Sequence, residues 1–147
     1  MNFIDKLNQD IKEAMKAKAQ EKLTALRALK SEILLFQTSG QGDLTDDKVL
    51  DILQKMVKQR KQSAEIYKEQ GRDDLYEKEM KEVEFIAEYL PKQLSEEEIE
   101  TKVKEIITKI GANSIKDMGK VMGIASKDMK GKADNKIISK IVKKLLT

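Results

Sequence analysis

The side chains of this chain that could do chemistry are carboxylates, lysines, arginines and tyrosines, because its 147 residues hold no histidine and no cysteine. A serine or cysteine nucleophile has no imidazole to activate it, so Ser-His-Asp and Cys-His arrangements are excluded. Structural zinc and the usual catalytic zinc sets draw on the same two residue types and fall with them. No catalytic residue, metal or cofactor is expected. What stands out is lysine. After Gly111 the chain carries nine lysines against three aspartates, Asp117, Asp128 and Asp134. Eight of the lysines lie in "MGKVMGIASKDMKGKADNKIISKIVKKL": Lys120, Lys127, Lys130, Lys132, Lys136, Lys140, Lys143 and Lys144. Clustered lysine without counter-charge is a nonspecific electrostatic footprint, and charge alone leaves two readings open, a nucleic-acid face and a plain solvated face.

Helical periodicity sorts these lysines. At about 100° per residue, Ile137, Ile138, Ile141, Val142 and Leu145 fill one arc of a helix, and Lys136, Lys140, Lys143 and Lys144 fill the opposite arc. In the preceding segment Met118, Val121, Met122, Ala125 and Met129 form the apolar stripe, leaving Lys120 and Lys127 outside. Lys130, Lys132 and Lys136 surround a turn at Gly131. A solvated face accounts for lysine as such, but acids should then be interleaved, as in the first 90 residues. Like charges at i, i+4 cost a few tenths of a kcal/mol each, so the cluster is mildly unfavourable for folding alone. Gly119 and Gly123 sit four apart inside the helical pattern, where each costs about 1 kcal/mol relative to alanine. They make a bare strip that admits either a neighbouring helix or a sugar-phosphate backbone, and Gly131 in the following turn is a third candidate for such close approach.

Other clusters are explained more simply. "SEEEIE" is a helix start: Ser95 with Glu98 forms a capping box. "SGQGD" lacks the spacing and the Lys-Ser/Thr of a phosphate loop. On "VKQRKQSAEIYKEQ" the cations Lys58, Lys61 and Lys68 are interleaved with Glu65 and Glu69, a solvated face. Arg60 continues an apolar stripe instead and is expected in a buried ion pair.

The elements that must position these residues are all helical, with no alternating apolar pattern of a strand. Phe3, Ile4, Leu7, Ile11, Ala14 and Met15 mark a first helix, and Leu23, Leu26, Leu29, Ile33, Leu34 and Phe36 a second. Thr45 caps a third, running to Gly71 with Val49, Leu53 and Met56 inward. Asp73 is expected to cap a fourth, with Tyr76, Met80, Val83, Ala87 and Leu90 inward. The only proline, Pro91, marks the boundary between an N-terminal helical domain, 1–90, and a C-terminal basic helical domain, 91–147. Three helices follow it, near 96–110, 118–129 and 137–146. The expected fold is all-α: a four-helix unit, then a small three-helix domain.

Charge divides at the same boundary. Residues 1–90 hold 16 Lys or Arg against 18 acids, net −2, and residues 91–147 hold 13 against 8, net +5. No stretch reaches the roughly 18 apolar residues of a membrane span. The first helix is amphipathic, but Asp5, Asp10 and Glu13 argue against a transit peptide. A cytoplasmic location follows as the expectation.

"LPKQLSEEEI", "KDMGKVMG" and "KGKADNKIISKIVKKLL" resemble signature segments of the GatB/YqeY family, and "LQKMVKQRKQSAEIYKEQGRDDL" resembles the helix preceding them in its YqeY-like stand-alone members. The likeness spans essentially the whole chain. It implies an all-helical protein of bacterial type, related to the tail of the B subunit of the glutamyl-tRNA(Gln)/aspartyl-tRNA(Asn) amidotransferase, which contacts tRNA. It implies tRNA as partner, with tRNA-charging or amidotransferase machinery as associates. The family's tail motif falls on Met118, Gly119, Lys120, Val121, Met122 and Gly123, then on Lys130 to Lys136. Asn135 stands where the family turn has glycine; asparagine also tolerates positive φ, so the turn is expected to survive. Amide transfer itself is not expected. The chain has no cysteine, no glycine-serine-rich amidase run and no metal-ligand cluster, so intrinsic carbon–nitrogen ligase activity with glutamine as amido donor is excluded. The sequence reading is a tRNA-associated accessory protein. Its alternatives are a helical protein-interaction adaptor and a non-catalytic amidotransferase component.

Overall fold

The computed structural model describes residues 2–147. Among these, seven α-helices and one short 3-10 turn account for the regular structure, with no strand: α1 (Phe3–Lys16), α2 (Gln20–Thr38), α3 (Asp46–Glu69), α4 (Asp73–Ala87), α5 (Glu96–Ile110), the 3-10 turn Ile115–Asp117, α6 (Met118–Asp128) and α7 (Asn135–Leu146). The chain divides into two compact units, Met1–Leu90 and Pro91–Thr147.

In the first unit α3 and α4 form the tightest pair, and α2 packs on α1, α3 and α4. The turn joining α3 to α4 is a Schellman motif. Gly71 has φ +70°, its N–H donates to the Lys68 carbonyl (3.1 Å), and the Arg72 N–H donates to the Tyr67 carbonyl (2.8 Å). Arg60 and Glu82, each eleven residues from that glycine, pair at 3.1 Å with little solvent exposure. The ion pair expected of Arg60 is present, but it is partly rather than fully buried. The core is aliphatic, with Leu26, Leu29 and Leu53 fully enclosed. Tyr89 packs edge-on against Phe3 and donates its hydroxyl to Asp10, which ties the end of α4 to α1.

Several expectations need correction. Asp73 does not cap α4: Arg72 occupies that position without a side-chain cap, and Asp73 is the first helical residue. Met15 and Leu34, assigned to buried stripes, are half exposed at 54% and 50%. Ile137 is at the rim of its arc, and Leu146 is buried in its place.

In the second unit α5, α6 and α7 pack pairwise around Ile99, Val103, Val121, Ala125, Met129, Ile138 and Val142, all essentially inaccessible. The helix boundaries follow local chemistry. Ser95 and Glu98 form the expected capping box (3.2 and 3.3 Å), Gly111 ends α5 at φ +70°, and Asp134 caps α7 by accepting the Lys136 N–H at 3.0 Å. Asn135 is helical, so the position occupied by glycine in the family turn makes no demand for positive φ here.

Candidate nucleic-acid interface

The second unit exposes lysine on two helices whose opposite sides are locked in its core. On α7, Ile138, Val142 and Leu146 are buried, while Lys136, Lys140, Lys143 and Lys144 project into solvent. On α6, Val121 and Ala125 are buried, while Lys120 and Lys127 are exposed. Lys130 and Lys132 are half-buried in the α6–α7 turn. All eight sequence-derived lysines thus lie on α6, α7 and their connection, six of them fully in solvent.

Each of the three aspartates of this region has a partner in the fold. Asp117 accepts the Asn113 N–H at 3.1 Å, Asp134 caps α7, and Asp128 faces Lys102 of α5 at 3.9 Å. Among the described residues, none of Lys120, Lys127, Lys136, Lys140, Lys143 or Lys144 pairs with a carboxylate. Lys143 and Lys144 stand in the last turn of α7, where the helix dipole favours cations and offsets part of their repulsion. Lys136 and Lys140 have no such compensation.

The glycines separate into two kinds. Gly119 and Gly123 are exposed, and a Cβ built at either meets nothing within 4 Å. Tight packing of α6 on a neighbour in this unit therefore does not explain them. They line an open groove with Lys120, Ile124, Lys127 and Asp128. Helical geometry arranges these residues as two parallel rows, Gly119/Gly123/Lys127 and Lys120/Ile124/Asp128. Gly131 differs: it is buried at φ +77°, and its carbonyl accepts from Gln93 Nε2 at 2.7 Å. The Leu94 N–H donates to the Lys132 carbonyl at 2.9 Å. Gly131 thus shapes a turn that holds the segment after Pro91, and its burial removes it from close approach by any partner.

Sequence reasoning missed Ile124 and Gln93. Ile124 is an exposed isoleucine (43%) in the glycine groove, and its position outside the Val121/Ala125 stripe was the available signal. Gln93 had none, since its role depends on a contact 38 residues away.

Among the described residues no group of three or more His, Cys, Asp or Glu could hold a metal ion, and no helix is long and apolar enough to cross a membrane.

The Yqey-like protein family matches residues 4–146. Among curated proteins the chain is similar to Altered inheritance of mitochondria protein 41, mitochondrial, of Lachancea thermotolerans, 35% identical over 113 residues, covering 75% of this chain and 60% of the relative. The protein of the same name from Clavispora lusitaniae is 38% identical over 113 residues, 76% of this chain and 66% of the relative. That from Pyrenophora tritici-repentis is 28% identical over 147 residues, 97% and 80% respectively. The chain thus spans less than two thirds of the length of the first two relatives. Their names correct the expected cytoplasmic location and leave the bacterial assignment unsupported. The physical reason is plain in α1: Asp5, Asp10 and Glu13 belong to a folded helix with Leu7 and Ala14 in the core, so their charge carries no information about a leader. With its folded length matched almost end to end, the chain belongs to the Yqey-like protein family, the stand-alone relatives of the GatB tail.

Proposed function

We propose that this protein is an RNA-binding accessory protein whose second unit holds tRNA by its sugar-phosphate backbone. The observation that carries the reading is the acid-poor lysine surface of α6 and α7: Asp117 and Asp134 are taken up by helix-end hydrogen bonds, and Asp128, the one exposed aspartate beside the lysines, faces Lys102 of α5. The exposed glycine pair adds to it: two residues that weaken α6 stand where nothing in the unit needs the space. The family's kinship with the amidotransferase tail supports tRNA as the RNA concerned. In this reading the protein contributes binding rather than catalysis, and purified chain should release no ammonia from glutamine.

Filter binding tests it. Wild type should retain tRNA, and the Lys136/Lys140/Lys143/Lys144→Glu variant should lose at least about a hundredfold in affinity at low salt, as expected for four phosphate contacts reversed. Equal retention by both proteins contradicts the reading.

A second reading, a protein-interaction adaptor, has one observation in its favour. Leu34 and Leu35 on α2 are 50% and 62% exposed, and Leu35 lines a cavity of about 260 Å³ with Phe36, Ile52 and Met56. Partners captured from lysate that survive nuclease treatment favour the adaptor; partners lost with the RNA favour the first reading.

A further inference from the structure

We propose that the lysine surface of the second unit recognises base-paired RNA stems in preference to unpaired strands, holding phosphates without reading bases. This deepens the RNA-binding reading above and rests on it.

The inference starts from what the unit lacks. The last aromatic residue of the chain is Tyr89 and the last arginine is Arg72, so residues 91–147 contain neither. Proteins that hold single strands stack splayed bases on aromatic rings or guanidinium planes. They distinguish guanine edges with the bidentate arginine fork. This unit has no aromatic ring or guanidinium plane to lay against a base and no guanidinium fork to read a guanine. Its cations are lysines, compact point charges that suit phosphate oxygens of any sequence.

What the unit exposes fits a backbone of fixed shape. Lys136, Lys140 and Lys144 follow one another at intervals of about 6 Å along α7, and the helix cannot turn because Ile138, Val142 and Leu146 are buried beneath it. A flexible strand must be ordered to match such a ladder, whereas an A-form stem presents its phosphates already arranged. The A-form minor groove is wide and shallow and is recognised by shape, through 2′-hydroxyls and phosphates. The open strip at Gly119 and Gly123 allows a ribose-phosphate strand to reach the main chain of α6. Ile124 supplies an apolar surface beside it for ribose carbons. An anionic bilayer fits less well, since amphipathic helices enter it by their apolar side and that side of α7 is committed to the core.

Fluorescence anisotropy on the full chain decides the matter. The probes are two labelled RNA duplexes of about 20 base pairs and unrelated sequence, long enough for two successive minor grooves, and an oligouridine of equal length. At matched salt the two duplexes should bind within about twofold of each other and at least about tenfold tighter than oligouridine. Oligouridine binding as tightly as the duplexes overturns the proposal, and so does a tenfold difference between the two duplexes. Displacement of the duplexes by vesicles of anionic phospholipid, at lipid concentrations that leave a control RNA-binding domain undisturbed, also overturns it. Failure to bind any RNA overturns the underlying RNA reading, a result distinct from binding with the wrong preference.

Discussion

Glu79 is the residue whose environment works against it. Partial burial raises its carboxyl pKa, the neighbouring Glu82 carboxylate raises it further, and Arg60 only partly compensates because it is already paired with Glu82. A carboxyl with a folded pKa above its unfolded value contributes most to stability below the unfolded value, and loses that contribution as pH rises through the folded one. Glu79→Gln is therefore expected to raise Tm at pH 7 and to lose that advantage as pH falls below the ordinary glutamate value of about 4.3. Thermal denaturation at the two pH values checks it; an equal gain at both contradicts the assignment. Glu98 has the opposite sign, because the Ser95 backbone N–H and hydroxyl hold its carboxyl below the usual range. Its contribution is present at neutral pH and is lost on acidification through that lowered value. The two cases also differ in legibility. Ser95 and Glu98 were readable from four consecutive letters, since a capping box is local. Glu79 was not: Glu82 lies three residues along the same helix, but the burial of Glu79 and its approach to Arg60 come from packing α3 against α4.

At the scale of the element, α6 carries the most informative tension. Gly123 is in mid-helix with free space around the missing Cβ, so alanine there should stabilise the helix by about 1 kcal/mol, and Gly119 nearer the start by less. If the strip is a contact surface, Gly119→Ala/Gly123→Ala should raise Tm while weakening RNA binding several-fold, measured by denaturation and anisotropy on the same protein. Higher Tm with unchanged affinity would assign the glycines no part in binding. The period of the apolar residues located every helix, because the spacing of Val121/Ala125 and of Ile138/Val142 admits one buried side. It could not say how wide that side is. Leu34 and Met15 continue their stripes in sequence yet emerge into solvent, because the width and end of a buried face depend on where neighbouring helices lie. Charge at positions Lys136 to Lys144 was legible for the complementary reason: the arc opposite a core stripe has only solvent to face.

At the scale of the whole molecule, the two units divide the charge, net −2 on residues 1–90 and net +5 on residues 91–147. Cations of the first unit are interleaved with acids, as in the Arg60–Glu82 and Lys81–Glu21 pairs. If the α7 lysines carry the binding, Lys55→Glu/Lys61→Glu should change RNA affinity less than about threefold at physiological salt, where attraction beyond direct contact is largely screened. A loss comparable with that of the α7 variant would move the interface to the first unit. Most directly at stake is the claim that the α7 lysines neutralise phosphates. The slope of log K against log salt for tRNA binding counts such contacts, at about 0.7 to 0.9 per lysine. For about five lysines, wild type should show a slope of about −3.5 to −4.5, and the Lys136/Lys140/Lys143/Lys144→Gln variant a slope near −1. The same slope in both proteins would contradict the account.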